Sequence, residues 1–145
     1  MPGETPHPDI YKPISHTGDL GMMVYGQDLP ELFAHAAWAM FDLMSDATTI
    51  RPQHSVTLDV SATDLEDLLV RWLSELLYLY DTQRLLYCTF TFATLEPTHL
   101  TATAAGEPLD PDRHPIDTEI KAVTYHQIAV EQVAGRWQAR VIFDL

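Results

Sequence analysis

The clearest structural signal in the chain is the segment at residues 64–80, DLEDLLVRWLSELLYLY. Thr63 and Glu66 stand at the spacing of a capping box, which marks the start of a helix. The apolar residues that follow recur at the three- and four-residue spacing of one helix face: Leu65, Leu68, Leu69, Trp72, Leu73, Leu76 and Leu77. The segment therefore predicts an amphipathic helix that buries this face against another layer of structure.

A second amphipathic helix is predicted at residues 28–44, where Asp28 and Glu31 form a variant of the capping box. Between and after the helices, the apolar residues recur at every second position, as they do in strands. These strands are predicted at residues 55–60, 86–95, 100–105, 122–131 and 137–144, with an exposed loop at residues 106–119. The order predicts an α+β domain, in which two helices pack on a mostly antiparallel sheet.

We expect one domain at residues 14–145, preceded by a loosely ordered, proline-rich lead-in at residues 1–13. The lone Cys88 cannot form an intramolecular disulfide, which favours a reducing compartment. The lead-in lacks the basic start and apolar run of a signal peptide, and no apolar stretch approaches the length of a membrane span. We therefore expect a soluble cytoplasmic protein.

The charge balance restricts the partners. The chain of 145 residues carries 21 acidic and 8 basic residues, which gives a formal net charge of −13 at pH 7. Strong direct binding to RNA or DNA needs many lysines and arginines, so it is disfavoured, and so is docking on an anionic membrane. The excess of carboxylates favours cations and basic protein surfaces as partners.

The familiar catalytic motifs are missing, since the sequence has no phosphate-binding glycine loop, no Gly-x-Ser-x-Gly and no His-Glu-x-x-His. Acidic residues at predicted strand ends remain. Asp19 lies in a polar turn before a short apolar run, and the chain stops at Asp144 and Leu145. If these two ends lie side by side, their carboxylate and carbonyl oxygens suit Ca²⁺, Mg²⁺ or Mn²⁺. The alternatives are a carboxylate that satisfies its own turn and a frayed terminus.

Lys121 is the other candidate, because it is one of only two lysines and enters a predicted strand just after a run of acids. It can serve as a surface ion-pairing residue. In a functional role it would instead present a partly desolvated amine to a phosphate or to a partner's carboxylate.

The order and spacing of these polar clusters resemble the archease family over residues 11–145. The motifs that carry the resemblance are HTGDLG at 16–21, Tyr25-Gly26, AAWAMF at 36–41, DLEDLL at 64–69, Glu75-Leu76-Leu77, Gly106-Glu107, Leu109-Asp110, His114, EIKAVTYH at 119–126 and the final Asp144-Leu145. The departures are Gly18, where the family usually has alanine, and a longer lead-in.

Archeases are accessory proteins of the RtcB-type RNA ligase, which joins RNA ends by a GTP-dependent route in tRNA splicing and RNA repair. The resemblance implies that this chain is not itself an enzyme. It would promote guanylylation of the ligase and repeated turnover. The family's metal ligands carry over to the side chains of Asp19 and Asp144 and to the main-chain oxygen of Leu145, and Lys121 matches a lysine that activates the ligase. RNA and GTP would meet the ligase rather than this chain.

Two other functions fit the same residues. One is a stand-alone metal-dependent phosphoester hydrolase, with Asp19 and Asp144 as ligands and His126 or His16 as base. The other is a chaperone-like interaction module whose acidic surface shields basic clients.

Overall fold

The computed structural model describes residues 7–16 and 18–145, with the backbone alone for residues 15 and 16. The strands along this part of the chain are β1 (Tyr11–His16), β2 (Asp19–Gly26), β3 (His54–Ser61), β4 (Leu85–Glu96), β5 (His99–Pro108), β6 (Ala122–Val123), β7 (Ala129–Val133) and β8 (Arg136–Asp144). The helices are α1 (Leu29–Met44) and α2 (Leu65–Gln83), with a short 3-10 helix at Ala47–Thr49.

The first strand begins earlier than the sequence indicates. It starts at Tyr11 rather than near Ile14, because the Tyr11 ring is buried and its backbone pairs with β2. The Tyr11 hydroxyl also donates a hydrogen bond of 2.6 Å to Asp42 Oδ2 on α1. Residues 11–13 therefore belong to the sheet, while residues 1–6 of the expected lead-in lie outside the described residues.

The strands form two antiparallel sheets. One has the order β1-β2-β8-β6, with β7 pairing on the same edge of β8 as β6, and the other has the order β3-β5-β4. The α1 helix packs against β2 of the first sheet and β4 of the second, while α2 contacts both sheets and α1. The predicted α+β class is confirmed, with the strands divided between two sheets.

The core lies between the helices and the sheets. Trp72 of α2 is fully buried, and its indole Nε1–H donates a hydrogen bond of 3.0 Å to the carbonyl of Phe33 on α1. The same indole makes edge contacts with Phe90 and Phe92 of β4. Trp72 thus joins both helices to the smaller sheet. Neither helix in the described part of the chain has both the length and the hydropathy that crossing a bilayer requires.

The prediction of one continuous strand at residues 122–131 is wrong. The chain pairs with β8 only at Ala122–Val123, turns, and pairs again from Ala129. At the break, Thr124 Oγ1 donates to the Ile142 carbonyl and accepts from the backbone N–H of His126. The backbone N–H of Thr124 also donates to the Ile142 carbonyl at 3.0 Å. The turn therefore begins at a threonine whose hydroxyl binds nearby backbone groups, which the alternation alone does not reveal.

The start of α2 also differs by one residue from the predicted capping box. The cap is Asp64, whose side chain accepts a hydrogen bond of 2.8 Å from the backbone N–H of Asp67. Asp67 in turn accepts from the backbone N–H of Thr63 at 3.0 Å. The helix is therefore capped by Asp64, with Asp67 bound back to Thr63, rather than by Thr63 and Glu66. The cap predicted for α1 is present, since Asp28 accepts from the N–H of Glu31 at 2.8 Å.

We predict that Asp64→Ala lowers the free energy of unfolding by about 1 kcal/mol, because the N–H of Asp67 loses its acceptor. The control is Glu66→Ala, which removes an acid of the same helix turn that takes no part in the cap. Urea denaturation of both variants measures the difference. An equal or larger loss in Glu66→Ala would contradict the assignment.

Candidate metal centre

Three strand ends meet side by side at one end of the larger sheet. β2 begins at Asp19, β8 ends at Asp144, and β6 begins at Ala122, with β8 lying between the other two. Leu20 pairs with Phe143, so Asp19 lies one position beyond this pair, opposite Asp144. Neighbouring strands are about 4.8 Å apart. The structure thus brings together the two carboxylates that the sequence singles out.

Both carboxylates lie on the same face of the sheet. Their neighbours Leu20 and Phe143 share the other face, on which Phe143 is fully buried, and side chains alternate along a strand. A cation held at these strand ends would be bound by oxygens from both strands. Carboxylate and carbonyl oxygens are also the ligands that Ca²⁺, Mg²⁺ and Mn²⁺ take, so Asp19, Asp144 and the main-chain oxygen of Leu145 fit such an ion.

The candidate metal centre depends on these oxygens alone. Within residues 7–16 and 18–145, no group of three or more histidine, cysteine, aspartate or glutamate side chains is placed to hold a metal. Thr17 and the side chain of His16, which the sequence places in the same turn, lie outside the described residues. Gly18 has a φ of 75°, a conformation that favours glycine over residues with a side chain.

Lys121 is joined to the metal centre through the backbone. Its N–H donates a hydrogen bond of 2.8 Å to the carbonyl of Asp144. Because Ala122 pairs with Asp144 and shares its face, the Lys121 side chain lies on the opposite face. There it lines a cleft of about 190 Å³ with residues of α2 that include Ser74, Tyr78 and Asp81.

The Lys121 amine has no ion pair with another side chain in the described part of the chain. Among the described residues, no carboxylate oxygen lies within 4.0 Å of the Lys121 Nζ, the longest distance for an ion pair. The structure thus leaves the amine of Lys121 available to a group from outside the chain.

Comparison with known proteins gives the same family as the motifs. The model of the Archease protein family matches residues 11–145. Proteins named archease are 37% identical over 139 residues in Methanosarcina mazei, covering 93% of this chain and 95% of the relative, and 38% identical over 138 residues in Methanopyrus kandleri, covering 93% and 99%. The chain belongs to the archease family.

Solved structures agree with this archease in fold. The solution structure of Methanobacterium thermoautotrophicum protein 1598 has a TM-score of 0.81 and 36% identity, covering 93% of this chain and 98% of that one. A crystal structure from Thermotoga maritima, described as an archease and possible chaperone, has a TM-score of 0.65 and 21% identity, covering 92% and 96%. At that identity, the second likeness concerns the fold alone.

The loop expected to be exposed in this archease holds a buried ionic cluster that the sequence does not reveal. Glu107 is 3% exposed and His114 is 1% exposed. Glu107 Oε1 accepts from Arg113 Nη2 at 2.5 Å, while Oε2 accepts from the N–H of Arg51 at 2.7 Å and from His114 Nε2 at 3.1 Å. The exposed-loop prediction is therefore wrong at Glu107 and His114.

The hydrogen bonds fix the protonation pattern of this cluster. The backbone N–H of Asp110 donates to His114 Nδ1 at 2.9 Å, so the proton of the neutral ring is on Nε2 and points at Glu107. The hydrogen bond from Arg113, followed by that from Arg51, lowers the pKa of Glu107 to about 2. Glu107 on β5 is thus an ionised carboxylate that binds the loop through Arg113 and His114 and the segment before β3 through Arg51.

A second carboxylate is held at the start of α2. Asp67 accepts a hydrogen bond of 2.6 Å from the hydroxyl of Tyr125, and Arg71 Nε donates to both of its oxygens at 3.0 Å. The Tyr125 hydrogen bond is the largest of the interactions that hold the pKa of Asp67 well below its usual range. These contacts join α2 to the turn that follows β6.

Proposed function

We propose that this archease is an accessory protein of an RtcB-type RNA ligase. It promotes the GTP-dependent guanylylation of the ligase and lets the ligase turn over repeatedly in tRNA splicing and RNA repair. The observation that carries the proposal is the adjacency of Asp19 and Asp144 at neighbouring strand ends, with the backbone N–H of Lys121 bound to the carbonyl of Asp144.

The residues at these strand ends suit a reaction in which a nucleoside triphosphate is bound. A divalent cation held there would neutralise charge on phosphate oxygens. Asp19, Asp144 and the Leu145 main-chain oxygen would bind that cation, which is the part of the proposal that the carboxylate pairing supports. From the other face of the sheet, the Lys121 amine can donate hydrogen bonds to a phosphate or to a carboxylate of the partner.

The charge of the chain supports an accessory role. A net charge of −13 disfavours strong direct contact with RNA and favours docking on a basic enzyme that itself binds RNA. In the proposed reaction, RNA and GTP therefore bind the ligase, and this archease contacts the ligase, in the cytoplasm.

A ligation assay with limiting ligase and excess RNA tests the proposal. With GTP and a divalent cation present, adding this archease should raise the product from about one joint per ligase to many. No increase would contradict the accessory role. RNA or nucleotide hydrolysis by this archease without ligase would favour the metal-dependent hydrolase instead. Stimulation that survives changes at the metal centre would favour a chaperone-like role, of the kind named for the Thermotoga maritima protein.

We predict that Lys121→Ala lowers the rate of ligase guanylylation by about tenfold or more, because hydrogen bonds to charged groups contribute about 1.5–3 kcal/mol. Transfer of labelled GMP from GTP to the ligase measures the rate. Lys12→Ala is the matched control, since Lys12 is the other lysine of the chain and lies on β1. Equal rates for the two variants would show that Lys121 is a surface residue that takes no part in activating the ligase.

A further inference from the structure

Two tyrosines stand out on the surface of α2 and the turn beside it. Tyr78 is 60% exposed and Tyr125 is 55% exposed, more than any other large apolar or aromatic side chain among the described residues. The hydroxyl of Tyr125 is bound to Asp67, which also binds Arg71. Arg71 and Tyr78 line one cleft of about 360 Å³ between α2 and β3. These four residues form one continuous surface, named here the tyrosine face.

The tyrosine face is held in place at Tyr125. Asp67 is 8% exposed and is held by the backbone N–H of Thr63, so the Tyr125 hydroxyl is bound to a fixed group. Tyr78 lies three turns further along the same helix, at about 16 Å from Asp67 for a rise of 1.5 Å per residue. Aromatic groups held in place this way lose little conformational entropy on binding.

The rim of the tyrosine face is acidic. Asp59 and Glu75 line the cleft that Arg71 and Tyr78 share, and Asp81 follows on the same helix. The positive charge of Arg71 is taken up by Asp67 at 3.0 Å. A partner bearing arginines fits this surface, because a guanidinium can stack on a tyrosine ring while it pairs with a neighbouring carboxylate.

We propose that the tyrosine face is the docking surface for a basic patch on a partner protein, whose arginines stack on Tyr78 and Tyr125. This inference rests on the proposed function, in which the partner protein is the ligase. Tyr78 also lines the cleft that contains Lys121. A partner seated on the tyrosine face therefore meets Lys121 and the strand end that leads to Asp144. Docking and activation thus use adjoining surfaces.

Direct binding to purified ligase, measured by calorimetry, tests the docking surface. Tyr78→Ala should weaken binding about tenfold or more, as truncation of an aromatic hot spot does. Glu75→Arg should weaken it further at low salt, because it places a cation in the acidic rim. Tyr78→Phe should bind like the unaltered chain, since it keeps the ring. Val133→Ala is the matched control, an exposed apolar residue on β7 that is 42% exposed.

The outcomes separate the two proposals. If the unaltered chain does not bind the ligase, both the accessory role and the docking surface are wrong. If it binds, and Tyr78→Ala and Glu75→Arg bind as tightly as Val133→Ala, the tyrosine face is wrong while the accessory role stands. Weakened binding in Tyr78→Ala with restoration in Tyr78→Phe supports the tyrosine face.

Discussion

Asp144→Asn is expected to lower the affinity of this archease for a divalent cation by about 100-fold or more. Replacing groups that merely orient metal ligands weakens metal binding by about 10- to 100-fold, so removing the charge of a ligand should cost at least the upper value. Asparagine keeps the size of the side chain and one oxygen. The effect therefore reports the lost negative charge rather than lost packing. Asp19→Asn should act in the same way.

Calorimetric titration with Mn²⁺, Ca²⁺ and Mg²⁺ measures these affinities. Asp112→Asn is the control, because it removes an exposed carboxylate from the loop after β5. Without metal, Asp144→Asn should unfold at about the same urea concentration as the unaltered chain, since Asp144 is exposed and asparagine keeps its size. Cation affinity unchanged in both Asp19→Asn and Asp144→Asn would show that the paired strand ends bind no metal.

Glu107→Gln is expected to lower the free energy of unfolding by about 3 kcal/mol at pH 7, because it leaves the partners of a buried ion pair uncompensated. The glutamine oxygen cannot accept from Arg51, Arg113 and His114 together, and its NH₂ group would face one of these donors. Glu119→Gln is the control. Glu119 is 61% exposed and lies 3.8 Å from Arg84, and a glutamine oxygen can still accept its hydrogen bond from the Tyr80 hydroxyl, so the change should alter stability by less than about 1 kcal/mol.

The effect of Glu107→Gln should depend on pH. The pKa of Glu107 falls from the ordinary value of 4.5 to about 2 in the folded chain, mainly through the hydrogen bond from Arg113. A carboxyl with a lowered pKa adds stability above its unfolded pKa and loses that contribution as pH falls through its folded pKa. Urea denaturation should therefore show a gap between Glu107→Gln and the unaltered chain that is full at pH 7 and shrinks as pH falls from about 4.5 towards about 2. If the difference in unfolding free energy between the two proteins stays constant over that range, the Glu107 carboxylate is not ionised in the folded chain.

The elements with strong periodicity could be predicted from the sequence. α2 and β3 follow from spacing alone, because one face of each is buried and its apolar residues must recur at the period of the element. The break between β6 and β7 could not be predicted this way. It depends on a hydrogen bond from Thr124 to Ile142 of β8, a residue 18 positions away in the chain.

The candidate metal centre and the buried cluster around Glu107 also depend on contacts between segments that lie far apart in the sequence. The pairing of Asp19 with the end of β8 was only a conditional expectation, since it depends on the order of strands in the sheet. The prolines and charges around Glu107 predict an exposed loop, whereas its partner Arg51 lies 56 residues away. Contacts between distant segments leave no periodic signal. A buried acid next to prolines and charges therefore looks like a surface acid in the sequence.

Counting RNA joints formed per ligase molecule tests most directly whether Asp19 and Asp144 activate the ligase. The assay uses limiting ligase, excess RNA, GTP and a divalent cation, with the unaltered chain, Asp144→Asn or the control Asp112→Asn. We predict many joints per ligase with the unaltered chain and with Asp112→Asn, and about one with Asp144→Asn. Repeated turnover with Asp144→Asn equal to that of the unaltered chain would contradict activation through the candidate metal centre.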